Sequence, residues 1–185
     1  MNSENKLTLK KIIGHFNTIN KHRFYVFKFC CKAGIPFRGL VHDLSKYSFT
    51  EFFESAKYYH GKISPLRLCK ENEGYSKAWL HHRGLNKHHY EYWYDPTSPN
   101  KYPIIPFKYM LEMISDNLSA SITYQGKNWT KEYQLSYWNK IKDKASLNDK
   151  LKKYLTCVYE EVAEKGIDEV ITKKHLKELY DKYTK

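Results

Sequence analysis

Ionisable side chains fall on the apolar stripes of helical segments far apart in this sequence, and that placement limits the fold more than any other feature. His22 lies three residues after Ile19, four before Val26 and seven before Phe29, spacings that share one helix face. Asp116 lies three residues after Met113 and four before Ala120, again on an inward side. His42 and Asp43 sit between Leu40, Val41 and Leu44. A buried imidazole needs a partner, and a buried carboxylate is strongly disfavoured without a cation. Three segments therefore send polar groups toward a common interior, and one divalent cation would satisfy all of them.

Helical periodicity dominates the rest of the chain, and an all-α fold is expected. The first helix should run from about Leu7 to Lys32, with Gly14 as an early weak point and Gly34 to Pro36 as its end. A second should start near Phe37 and carry LVHDLSKY. Ser48 and Glu51 have capping-box spacing for a third, FTEFFESAKYY. A fourth should cover Pro65 to His82, weakened around Asn72 to Gly74 and interrupted at Gly84. NKHHYEYW fits a helix or a loop, and the prolines between Asp95 and Pro106 mark a surface loop. Further helices are expected over Pro106–Tyr124 and Thr130–Lys142, then after a Ser146 cap up to Gly166, and last through Val170 to Tyr183.

Composition narrows the class. Hydrophobic residues make up 41% of the 185, enough for a packed core, and 17 tyrosines bring hydroxyls that need partners where buried. Cys30, Cys31, Cys69 and Cys157 form no CxxC pair and read as reduced thiols of a cytoplasmic protein. MNSENKLTLKK has no apolar h-region, so no signal peptide is expected, and no apolar run is long enough to span a bilayer. A formal charge of +12 favours anionic partners, whether nucleotides, nucleic acid or acidic lipid, and does not choose among them; the partner expected here is an anionic small-molecule substrate, with nucleic acid possible and no membrane. The lysines are scattered rather than blocked, and no RNA-binding or zinc-finger signature is present. Oligomeric state is not encoded in any motif.

His22, the pair His42-Asp43 and Asp116, in that order, resemble the HD-domain metal-dependent phosphohydrolase superfamily. The gaps of 20 residues from the first His to the pair, and of 73 from the pair to the last Asp, suit it. The run LVHDLSK matches its HDxxK variant, which implies that Lys46 holds a substrate phosphate. In two-metal members the intervening run supplies further imidazoles; here WLHHRGLNKHHYEYW offers His81 or His82 and His88 or His89. Were that run one helix, His81 would stack under His88 and His82 under His89. Over about residues 20 to 140 the chain is also similar to an uncharacterised family of HD-like proteins, through HDLSKYS, GYSKAWLHH and NKHHYEYW. No GYP tripeptide follows the paired histidines, which speaks against a cyclic dinucleotide.

The resemblance implies an HD-domain-like helical bundle with additional C-terminal helices, one domain over 1–185. Its core would cover about 7–125 and a helical extension about 126–185. The implied chemistry is hydrolysis of a nucleotide or related phosphate ester through metal-bound hydroxide. Metal ligands would come from His22, His42, Asp43, His81, His82, His88, His89 and Asp116. Asp43, Lys46, His82 and His89 are the catalytic candidates; Arg38, Lys46, Arg83 and Lys87 are the phosphate-binding ones. Mixed imidazole and carboxylate donors suit one or two ions of Mn, Fe, Co, Ni or Zn better than Mg or Ca. Tyr75, Trp79, Tyr90 and Trp93 could stack on a base. Two other readings compete: a di-iron HD-type oxygenase, and a non-catalytic metal-containing module that binds an anionic ligand or nucleic acid.

Overall fold

The computed structural model describes residues 6–185 and, among them, is all-α with no strand. No helix among them is long and apolar enough to cross a membrane, and the four cysteines are free. Of the N-terminal segment expected to lack an h-region, residues 1–5 lie outside the described part.

Helix α1, Leu9–Lys32, starts at the Thr8 cap, whose hydroxyl accepts from the Lys11 amide. It buries His15, Ile19, His22, Val26 and Phe29 on one stripe. Gly14 does not break it. The ring of Tyr59 presses against this glycine, where a Cβ would collide with it.

Helix α2, Pro36–Val41, ends earlier than expected, so LVHDLSKY is not one helix. His42 is its extended cap, Asp43 turns left-handed at φ 55°, and Leu44–Tyr47 is a 3-10 turn. Asp43 is the only non-glycine residue with positive φ among those described. Short polar Asp tolerates this conformation better than most residues. The reversal aims consecutive side chains, His42 and Asp43, at the same interior.

Helix α3, Phe49–Lys57, uses half the expected capping box. Ser48 accepts from the Glu51 amide, while the Glu51 carboxylate goes to two histidines instead. The segment 65–85 makes two helices, α4 Pro65–Glu73 and α5 Lys77–Leu85. They are separated by left-handed Gly74 and the Ser76 cap. Gly84 lies inside α5 rather than interrupting it. Asn86 caps α5 and the chain turns, so His81 and His82 do not stack under His88 and His89.

Helix α6, Phe107–Gln125, is buried nearly all round, as the centre of a bundle must be. It packs on α1 and on the C-terminal helices α7 (Tyr133–Ile141) and α10 (Lys173–Thr184). Helix α8, Asp149–Lys165, is capped by Asn148 rather than Ser146, and Gly166 ends it. A short α9, Ile167–Val170, splits the last expected helix in two. One core runs from Phe29 through Leu111, Ile114 and Leu118 to Leu151, Leu155 and Val162. Buried aromatic polar tips find partners: Tyr180 donates to the Ile105 carbonyl (2.7 Å), and Trp138 to the Thr156 hydroxyl (2.8 Å).

The seat of α2 on α1 depends on Gly39, where a Cβ would lie 2.6 Å from Cys30 Cβ and 3.0 Å from the Phe27 backbone. Gly39→Ala should therefore cost about 1–3 kcal/mol. Gly84→Ala, with nothing within 4 Å of its Cβ, should be neutral or stabilise by up to about 1 kcal/mol. Denaturant unfolding of both variants checks this; equal midpoints would refute the packing account.

Candidate metal centre

Five histidines and four acidic residues meet where α1, the α2 end, α3, α5 with its following turn, and α6 converge. Asp43, its side chain wholly buried, stands in the middle. Its Oδ2 lies 3.5 Å from His22 Nε2 and 3.1 Å from His42 Nε2. Its Oδ1 lies 3.3 Å from His82 Nε2 and 3.4 Å from His88 Nε2. Asp116 Oδ1 closes the first side, 3.1 Å from His22 Nε2 and 3.6 Å from His42 Nε2. Donors about 2.1 Å from one ion stand roughly 3–3.5 Å apart, so these separations suit a shared cation.

Two overlapping sets follow. His22, His42, Asp43 and Asp116 offer donor atoms all within 4.8 Å of one another, and so do Asp43, His82, His88 and His89. Either set could hold a metal ion. Asp43 belongs to both, one oxygen facing each.

The outward nitrogens are fixed by carboxylates. His42 Nδ1 and His88 Nδ1 face Glu112 Oε1 at 3.0 and 3.2 Å. Arg38 anchors the other Glu112 oxygen with Nε at 2.6 Å and Nη2 at 2.5 Å. Glu51 holds His82 Nδ1 at 2.8 Å and His81 Nδ1 at 2.7 Å. An imidazole that donates Nδ1–H to a carboxylate presents its Nε2 lone pair inward, the usual support behind a metal ligand. Glu112, with His42 and His88, forms a third ligand-like group, but its tie to Arg38 marks it as this support.

The inward atoms are the ones left without partners. Nε2 of His22, His42, His88 and His89, and Oδ1 of Asp43, are buried with no hydrogen bond. Unsatisfied buried polar atoms are costly, about 1–3 kcal/mol each, and metal bound at these two sets could satisfy all five. Charge points the same way. Four carboxylates, of Asp43, Glu51, Glu112 and Asp116, face two permanent cations, Lys46 and Arg38.

Electrostatics among the protein groups follow from this crowding. Burial alone would raise Asp43, but His42, Lys46 and His82 hold it well below the usual carboxylate range. Burial would likewise raise Asp116, yet His22 and His42 keep it ionised. For His42, burial pulls down while Asp43, Asp116 and Glu112 push it well above an ordinary imidazole, so without a cation its Nε2 keeps a proton that a bound metal ion would displace. Burial lowers His88 and His89, assisted by the imidazoles packed against them, so both favour the neutral form.

Of the histidines proposed from sequence, His81 is not brought in. It lies on the outer side of α5 with its side chain 38% exposed, bonded to Glu51. His82, His88 and His89 all point inward. Arg38 is occupied by Glu112, while Arg83 and Lys87 lie outside the cleft that opens over the metal donors. That cleft, about 530 Å³, contains Lys46, Lys62 and Arg67 as its cations. Lys46 is bonded to Asp43 Oδ2 and keeps a quarter of its side chain exposed. Of the four proposed stacking aromatics, only Trp79 lines the cleft. Sequence reasoning missed Glu112, although it precedes Asp116 by one helical turn on the same face of α6. It also missed His15, two turns before His22, which lines the cleft with a buried unpartnered Nδ1. Burial, with Lys46 nearby, pushes His15 down to about 4.

Removing the support behind His42 and His88 should weaken metal binding without unfolding the chain. Glu112→Gln is expected to lower affinity about 10–100-fold in a competition titration with a chromogenic chelator. Unchanged affinity would show that Glu112 plays no part behind the ligands.

No curated protein and no solved structure matches this chain. Residues 11–161 match a family of unknown function, DUF5662, and the chain belongs to that family.

Proposed function

We propose that this protein is a metal-dependent phosphohydrolase of the HD type. It would hydrolyse a phosphate ester of a nucleotide or related small molecule; His22, His42, Asp43 and Asp116 would hold one divalent transition ion, and Asp43, His82, His88 and His89 a second. The observation that carries the reading is the two-sided position of Asp43, one oxygen toward each imidazole set, with His22, His82, His89 and Asp116 around it lining a cleft whose cations are Lys46, Lys62 and Arg67. The order His22, His42-Asp43, Asp116 supports it. When bound, the ions supply a nucleophile at neutral pH and polarise the phosphoryl oxygen.

The protein's own groups have separable roles. Asp43 and Asp116 stay ionised; Asp43 belongs to both donor sets and Asp116 completes the first. Glu51 and Glu112 fix the tautomers of His82, His42 and His88. Lys46 spends one of its three N–H donors on Asp43; the others can meet a phosphate oxygen in the cleft. It is kept charged by Asp43 despite burial, so it offsets negative charge developing on the ester. Neutral His15, at the same cleft wall, can hydrogen-bond the substrate without adding charge.

Elemental analysis of purified protein should find two ions per chain. Asp43→Ala should lose both, while Asp116→Ala and His89→Ala should each lose one. A phosphate-release screen across Mn, Fe, Co, Ni and Zn with nucleotides should give turnover that Asp43→Ala abolishes. Lys46→Met should retain metal but reduce kcat/KM about 10²–10³-fold. Full metal content in Asp43→Ala would overturn the placement of Asp43 in both donor sets. Dioxygen uptake by the ferrous protein, with no phosphate released from any ester, would move the assignment to an oxygenase.

A further inference from the structure

The outer face of α1 carries an apolar stripe that the described residues leave largely exposed, Tyr47 touching only its edge at Phe16 and Asn20. Leu9 is 71% exposed, Ile13 51%, Phe24 64%, and Phe16 and Phe27 are above 40% or at it. These residues are distributed symmetrically about exposed Asn20. Phe16 and Phe24 stand four residues either side of it, Ile13 and Phe27 seven, Leu9 and Cys31 eleven. Steps of four, seven and eleven return to one face of a helix with 3.6 residues per turn.

Such a stripe fits itself. In two antiparallel helices related by a two-fold axis, a residue k places before the centre meets one k places after it on the partner. With Asn20 on the axis, Phe16 would meet Phe24, Ile13 would meet Phe27, and Leu9 would meet Cys31. Asn20 donates one amide N–H to the Phe16 carbonyl (3.0 Å), and its oxygen accepts from Tyr47 (2.7 Å). One amide N–H and one lone pair remain to meet its symmetry mate.

The surrounding surface widens the patch. The α2 segment lies along the same edge of α1: Arg23 donates to the Leu40 carbonyl, and Phe16 packs edge-on to Tyr47. Here Phe37 is 73% exposed, Leu40 58%, Leu44 52% and Phe49 81%. At about 200 Å² for a full phenylalanine, the stripe and its flank expose on the order of 1,000 Å² of apolar surface. A standard interface buries roughly 800 Å² per partner, so the area is sufficient. Isolated monomers rarely expose contiguous apolar patches larger than a few hundred Å².

We propose that the protein is a two-fold homodimer in which α1 pairs antiparallel with α1 of a second copy, centred on Asn20. This does not depend on the phosphohydrolase reading. Lys10, Lys21 and Lys28 line the outer margin of the stripe, and α1 contains no acidic residue. Each copy carries +12, so added salt should screen repulsion and tighten the dimer. An anionic lipid surface would show the opposite salt dependence.

Sedimentation equilibrium of the full, metal-loaded chain should give twice the 22.2 kDa chain mass, with tighter association at high salt. Phe24→Glu should weaken self-association about 30-fold or more while helix content and metal content stay as in the wild type. Leu9→Cys, treated with a mild copper-based oxidant, should form an intermolecular disulfide with the native Cys31 of the second copy. Combining it with Cys31→Ser should abolish that cross-link. A monomer at every concentration up to the solubility limit overturns the proposal. So does a dimer that Phe24→Glu leaves intact, or one in which Leu9→Cys fails to cross-link. Monomers that instead sediment with phosphatidylserine vesicles, and release at high salt, would assign the face to a membrane surface.

Discussion

A carboxylate buried on both oxygens is strongly disfavoured unless positive charge surrounds it, and Asp43 is such a group. The arrangement of the N-terminal half follows from satisfying it. Helix α1 brings His22, the end of α2 brings His42, and the turn after α5 brings His88. The 3-10 turn after Asp43 carries Lys46 back to the same carboxylate. Each group is acceptable in the interior because the others are there. Their positions are therefore more constrained than surface residues of the same types would be.

The central helix α6 links this polar cluster to the apolar core. One part of its surface carries Glu112 and Asp116 to the histidines. Other parts carry Met110, Ile114 and Leu118 into the core shared with α8. Each fully buried Leu or Ile contributes roughly 1.5–3 kcal/mol. The C-terminal helices thus supply packing that fixes the depth and rotation of α6, and with it the two carboxylates. They contribute no inward donor to either metal set.

The helices and the inward positions of His22 and Asp116 were legible in the sequence because amphipathic spacing alone determines them. The pair His42-Asp43 was legible as chemistry but not as structure. Its apolar neighbours fit a continuous helix, and only the convergence of three other segments selects the left-handed turn. The choice between His81 and His82 depended on where α5 lies against α3, since both reach Glu51 but only His82 also reaches Asp43. Glu51 satisfied a capping rule, which concealed its role behind an imidazole. Arg38 stood near the site in sequence, as an anion binder would, yet Glu112 one layer out is its partner. Local rules identify which residues enter an interior. They do not say which carboxylate, of several within reach, each cation will meet.

Asp43 and Asp116 lie 73 positions apart along the chain, and His22 a further 21 before Asp43. An ion held by all three would act as a cross-link closing long loops, much as a disulfide does in a secreted domain. Closing loops of that length removes several kcal/mol of chain entropy from the unfolded ensemble in the simplest model, on the order of 4 kcal/mol for a single closure. A thiol-bearing chain without disulfides could thus obtain covalent-like restraint from its candidate metal site, with folding and metal binding arising in one event.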